Sequence, residues 1–72
     1  MTQFEKYCEI YHWVAKQYSK DTIENLADLI HLLRPTEKTI NTIHRIIKQE
    51  PTEQEFMDRL RVEFPEYKGI NN

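Results

Sequence analysis

Glycine is almost absent from this sequence: Gly69 is the only one in 72 residues. Loops that cradle phosphate need several glycines for close backbone approach, so nucleotide-binding motifs of that kind are excluded. Cysteine is equally scarce. Cys8 has no second thiol with which to form an internal disulfide, and a lone thiol in a domain this small points to a reducing compartment, the cytoplasm. No apolar run approaches the ~18 residues of a membrane-spanning helix. Glu5, Lys6 and Glu9 stand where a signal peptide would need an uncharged run. Charge of one sign is lacking too, since the net charge is −2, which gives no overall pull toward nucleic acid or anionic lipid. Period-two alternation of apolar and polar residues is missing, and no sheet is expected.

What is present is a globular composition. Hydrophobic residues at 39% and charged residues at 31% are too apolar for a disordered chain. A chain of this length forms one domain and buries only about 60% of its unfolded surface. Thr2 with Glu5, Asp21 with Glu24, and Thr52 with Glu55 each fit the reciprocal capping box that opens a helix. Thr36 after Pro35 has the capping residue type without the glutamate. Arg34, Glu50 and Phe64 each precede a proline, which pushes them out of the helical region and ends a helix. These signals predict an all-α fold, a compact bundle of four short helices at 3–19, 22–33, 37–49 and 53–64. A single domain is expected over 1–66, with a frayed tail over 67–72.

The first helix is expected to dominate the core. Phe4, Tyr7, Cys8, Tyr11, Val14, Ala15 and Tyr18 recur at three- and four-residue steps and fall on one side of the helix. The later stripes are Ile23, Leu26, Ala27, Ile30 and Leu33; then Ile40, Ile43 and Ile47 with His44 at the margin; then Phe56, Met57, Leu60 and Phe64. Ile10 and Trp13 lie off the first stripe, and Leu29 and Leu32 lie off the second by the same angles in the same sense. Two readings fit these four residues: a second stripe enclosed because the other helices surround the first on two sides, or a surplus apolar surface that anchors a protein partner, with Trp13 the one expected near the surface. Charge is polarised along the chain. The stretch 31–48 carries Arg34, Lys38, Arg45 and Lys48 against Glu37, whereas 50–66 carries six acids against Arg59 and Arg61. Glu55 and Asp58 in that acidic run are candidates for docking a basic partner by charge complementarity.

The centre, 22–48, reads as helix, turn, helix. On its second helix Lys38, Asn41, Thr42, Arg45 and Gln49 project away from the isoleucines, a donor-rich set suited to bases and phosphates in a major groove. The stretch departs from the bacterial DNA-binding form. His31 stands at the turn glycine's place, the turn is about three residues too long, and Glu37 replaces an apolar residue. Direct DNA binding through these five residues is therefore the alternative reading.

Little chemistry is on offer. Cys8 and His12 are four apart on one helix, the spacing of a thiolate–imidazole pair or half a metal site. Neither is joined by an orienting third group or a second ligand pair, because His31 and His44 stand alone. No enzyme activity, cofactor or metal is expected.

The size, the degenerate helix-turn-helix between Thr22 and Lys48, and the Ile-, Lys-, Glu- and Asn-rich composition resemble small regulators of temperate phages, the modulator-of-repression (antirepressor) proteins. The resemblance implies a protein that pairs with a transcriptional repressor and keeps it from operator DNA. It carries over no residue role. The sequence thus predicts a cytoplasmic, non-enzymatic regulator that acts by protein–protein binding. A self-associating homodimer is a further expectation, because extra buried area stabilises so small a domain.

Overall fold

The computed structural model describes residues 2–67. Four α-helices follow one another, α1 (Gln3–Gln17), α2 (Lys20–Leu33), α3 (Glu37–Ile47) and α4 (Glu53–Glu63), and no strand occurs among the described residues. The all-α bundle is as the sequence predicts, with each helix one or two residues shorter at its C-terminus than expected, except α2.

Local chemistry sets three of the four starts. At α1 the Glu5 N–H donates to Thr2 Oγ1 (3.1 Å) and the Thr2 N–H donates back to Glu5 Oε1 (2.8 Å). At α4 Thr52 and Glu55 repeat the exchange at 3.2 and 2.9 Å. At α3 the Thr39 N–H donates to Thr36 Oγ1. These bonds satisfy amides that a helix start otherwise leaves orphaned.

α2 corrects the expectation. It starts at Lys20 with Ser19 as its N-cap, and the box predicted from Asp21 and Glu24 does not form. The cap comes from another helix. Glu53 Oε2, at the start of α4, accepts from the Ser19 N–H (2.9 Å), Ser19 Oγ (2.8 Å) and Thr22 Oγ1 (2.5 Å). A carboxylate at a helix N-terminus meets both the orphan amides and the positive end of the dipole. Next to it, Tyr18 donates to the Pro51 carbonyl at 2.6 Å, so two bridges join the α1–α2 link to the start of α4. Burial, with Glu53 and Glu55 adding, pushes the Tyr18 phenol up to about 12.

The prolines act as expected. Arg34, before Pro35, closes α2 at φ 72° and ψ 147°, a region that glycine favours and that stores strain of about 1–3 kcal/mol in other residues. Glu50, before Pro51, also has positive φ, at 50°.

The most extensive helix contact is between α1 and α3, with α2 packed against α1 and α4 against α3. The helix-turn-helix-like pairing predicted for α2 and α3 is not among these main contacts; both helices pack chiefly on α1.

The face that α1 turns inward is the second correction. Ile10 and Val14 are fully enclosed, whereas Phe4 is 75% exposed and Cys8 and Ala15 are also exposed. Tyr7, Tyr11, Trp13 and Tyr18 are half-buried on the flanks of the core. The helix is rotated by roughly a quarter turn from the predicted stripe. The physical reason is close packing. Compact branched side chains let α1 lie directly against α3, while tyrosines sit at the margin, where their hydroxyls reach water or an acceptor.

Across the interface the enclosed partners are Ile40, Ile43 and Ile46 on α3, Leu26 and Leu29 on α2, and Phe56 and Leu60 on α4. Leu29 is thus core, and Ala27, expected inside, is exposed. Tyr67, expected in the tail, is buried beside Phe64. Burial, with the Asp28 charge adding, raises its phenol above the ordinary value. The remainder of the predicted tail, 68–72, lies outside the described residues.

Two stability predictions follow from this packing. Ile10→Ala should cost about 2–5 kcal/mol and Phe4→Ala no more than about 0.5 kcal/mol, read from urea midpoints; equal costs would contradict the rotation. The hydrogen bonds from Thr22 and from Ser19 hold the Glu53 carboxyl below the ordinary 4.5. A carboxyl lowered on folding stabilises above its unfolded pKa and loses that contribution as pH falls through 4.5 toward the folded value. Glu53→Gln should therefore lower Tm by roughly 5 °C at neutral pH and by progressively less in acid, so that the two melting curves converge. A constant gap down to the folded pKa would exclude the carboxylate as the cause.

Candidate protein-binding surface

Rotation of α1 leaves an apolar face pointing away from the bundle. The capping box fixes the first turn of the helix, which holds Phe4 outward with little freedom in the backbone beneath it. A hollow lies on either side of its ring. One is lined by Gln3, Phe4, Tyr7, Pro35 and Ile40, where the α2–α3 turn meets the start of α1. The other is an open depression along the outer side of α1, lined by Phe4, Glu5, Cys8, Glu9 and His12. Both are more apolar than the hollows beside Gln49 and Arg59, beside Lys38 and Glu63, and beside Trp13 and Lys48, and the Cys8 thiol is exposed within the second.

Polar contacts fix the orientation of this face. Lys6 Nζ donates to Asn41 Oδ1 at 2.8 Å. Glu9 pairs with His44 Nε2 at 3.0 Å through one oxygen and with Lys48 Nζ at 2.8 Å through the other. The hydrogen bond from Lys48, followed by that from His44, lowers the Glu9 carboxyl below its ordinary value. Contacts of this kind at the edge of a helix seam contribute little stability one by one. Together they fix which side of α1 meets α3 and hence which side faces out. Tyr7 and Tyr11 stack at 5.1 Å along the border. Burial and the Tyr7 hydroxyl raise the Tyr11 phenol.

The residues singled out as partner anchors are dispersed. Ile10 and Leu29 are fully enclosed and offer nothing to a partner. Ile10 was misassigned because the first helix was set with its aromatic side inward, and Leu29 because α2 turns Thr22, Leu26, Leu29 and Ile30 inward rather than the side that carries Ala27. Trp13 is half-buried and packs edge-on against Tyr18 at 5.3 Å, and Tyr18 in turn stacks on Phe56. It belongs to an aromatic ladder that closes the end of the core. Leu32 is exposed at 58%, on α2. Glu55 and Asp58 are exposed, but each has internal work: Glu55 in its capping box, Asp58 accepting from Gln54 and Arg61. They line a hollow with Ile46, Gln49, Pro51 and Arg59.

The set proposed for DNA is also divided. Asn41 is engaged by Lys6, Gln49 accepts from Arg59 at 3.3 Å, and Thr42 is half-buried. Lys38 and Arg45 are exposed and make no side-chain hydrogen bond or ion pair among the described residues.

The sequence reading missed Phe4 and Val62 as exposed apolar residues, the latter 73% exposed on α4. Val62 lies outside the predicted α4 stripe, a signal that was available. Phe4 lies inside the predicted α1 stripe, and only the choice between two apolar faces could have revealed it.

Cys8 and His12 share a hollow, but no cluster of three or more metal-ligating side chains occurs among the described residues. No described helix is long and apolar enough to cross a membrane. Comparison with protein-family models, curated proteins and solved structures finds no match.

Exposure of Cys8 can be measured directly. The native protein at low micromolar concentration should titrate one thiol with a disulfide reagent without denaturant, at the rate of an unprotected cysteine. A thiol that reacts only on unfolding would show that the predicted Cys8 stripe is the core after all.

Proposed function

We propose that this chain is a small non-enzymatic regulator that works by binding another protein through the outer face of α1. The observation that supports this reading is Phe4, three-quarters exposed and lining two apolar hollows at the start of α1. A large aromatic side chain left in water costs free energy, and aromatics in such settings are the usual anchors of protein interfaces. The form of regulation proposed is antirepression: occupying a transcriptional repressor so that it leaves its operator. The exposed acids of α4, among them Glu55 and Asp58, would complement a basic DNA-binding surface on such a partner.

Phe4→Glu provides the test. An acidic residue in the first turn suits the helix dipole, so the fold should survive. Immobilised wild-type chain should retain one stoichiometric companion from source cells, and the variant should bind it at least tenfold more weakly. On the antirepressor reading, the companion binds DNA alone and loses it when the chain is added. Retention of the companion by Phe4→Glu would remove this face from the mechanism. If the chain itself binds duplex DNA with affinity falling steeply in salt, and Lys38→Glu with Arg45→Glu abolishes that binding, the DNA reading takes its place.

A further inference from the structure

We propose that, where no other protein covers it, the Phe4 face pairs with a second copy of this chain, the two α1 helices packed antiparallel about a two-fold axis, so that self-association and partner binding compete for one surface. The inference rests on the reading of that face as a binding surface and adds its partner.

The argument is the order of charges along the face. Phe4, Cys8, His12 and Ala15 are all exposed and lie within one side of α1. Glu5 near the start of the helix and Lys16 near its end border this side along the same edge. An isologous two-fold contact sets each residue i of one copy against a residue j of the other, and j against i. Run antiparallel about an axis through the middle of α1, the pair brings each Glu5 beside Lys16 of the other copy, twice. A parallel two-fold pair would carry this edge to opposite sides of the contact in the two copies, so that neither Glu5 nor Lys16 would meet a charge of the other copy. The face is therefore its own electrostatic complement in one orientation only.

Both charges are available. Lys16 makes no side-chain hydrogen bond or ion pair among the described residues. Glu5 uses Oε1 in the capping box, which leaves Oε2 to accept. The hydrogen bonds of the box lower its carboxyl below the ordinary value, so it is ionised at neutral pH. Between the two pairs lies room for an aromatic ring: Cys8 and Ala15 are small, and each Phe4 would cover the Ala15 and Lys16 stem of the opposite copy.

The strength expected is modest. A helix of 15 residues is about 22 Å long, and one such helix face per copy gives an interface at the small end of the specific range, with Kd on the order of micromolar.

Sedimentation equilibrium of the full chain, from roughly micromolar to millimolar concentration, tests this. A reversible monomer–dimer equilibrium is expected, with Cys8 labelling slowing as the dimer fills. Phe4→Glu should weaken self-association at least tenfold, and Lys16→Glu by a few-fold to tenfold. Glu5→Lys added to Lys16→Glu should recover most of that loss, with helix content checked by circular dichroism because Glu5 also caps α1. If the double variant does not fold, the Lys16→Glu result decides alone, since Lys16 has no part in the cap. A monomer at every concentration, or a dimer indifferent to Phe4→Glu and Lys16→Glu, would overturn the proposal. A monomeric wild type whose Phe4→Glu variant loses a different protein would overturn self-association and leave the binding-surface reading intact.

Discussion

The contact between α1 and α3 is the constraint from which the rest follows. Ile10 and Val14 supply fully enclosed surface on one side, Ile40 and Ile43 on the other, and the apolar burial there is the main stabilising contribution a domain this small has. The Lys6–Asn41 bond and the paired contacts of Glu9 run beside that seam. They add little free energy individually, yet they distinguish the correct rotation of α1 from its neighbours. With α1 set on α3, α2 and α4 take the remaining sides, and Glu53 can reach across to cap α2.

Much of this was legible along the chain and little of it across the chain. Two capping boxes, the three prolines and the stripes of α3 and α4 are local patterns, so four helices and most of their limits could be read from residues a few positions apart. The Ser19 cap could not be. Its acceptor is Glu53, 34 positions away, and nothing in the spacing of Asp21 and Glu24 signals that a better carboxylate arrives from another helix. The facing of α1 failed for a related reason. Its wheel holds two apolar sides, one rich in tyrosine and phenylalanine, one with Ile10 and Trp13. Summed hydrophobic area favours the aromatic side. Close approach of two helix backbones favours the compact branched one, and in a thin bundle close approach wins.

That failure bears on the site. Phe4, Leu32 and Val62 are exposed on three different helices, so of the four residues expected to form one apolar surface Ile10 and Leu29 are core and only Leu32 is largely in water. Phe4 alone of the three adjoins the two apolar hollows and the exposed Cys8 thiol.

The same packing weighs against α3 as a DNA-reading helix. A recognition helix keeps one face for the scaffold and leaves the other free for base edges. Of the 11 residues of α3, Thr39, Ile40, Ile43, Ile46 and Ile47 are buried, and Asn41 and His44 are held by α1. Among the described residues, Lys38 and Arg45 alone remain exposed and unpaired of the donors that were to read a groove, and two cations of that kind supply phosphate attraction rather than sequence readout. α1 is in the opposite position. Its inner face is complete, its outer face is apolar and unmatched within one protomer, and a helix so placed stabilises the protein most when a second surface covers it.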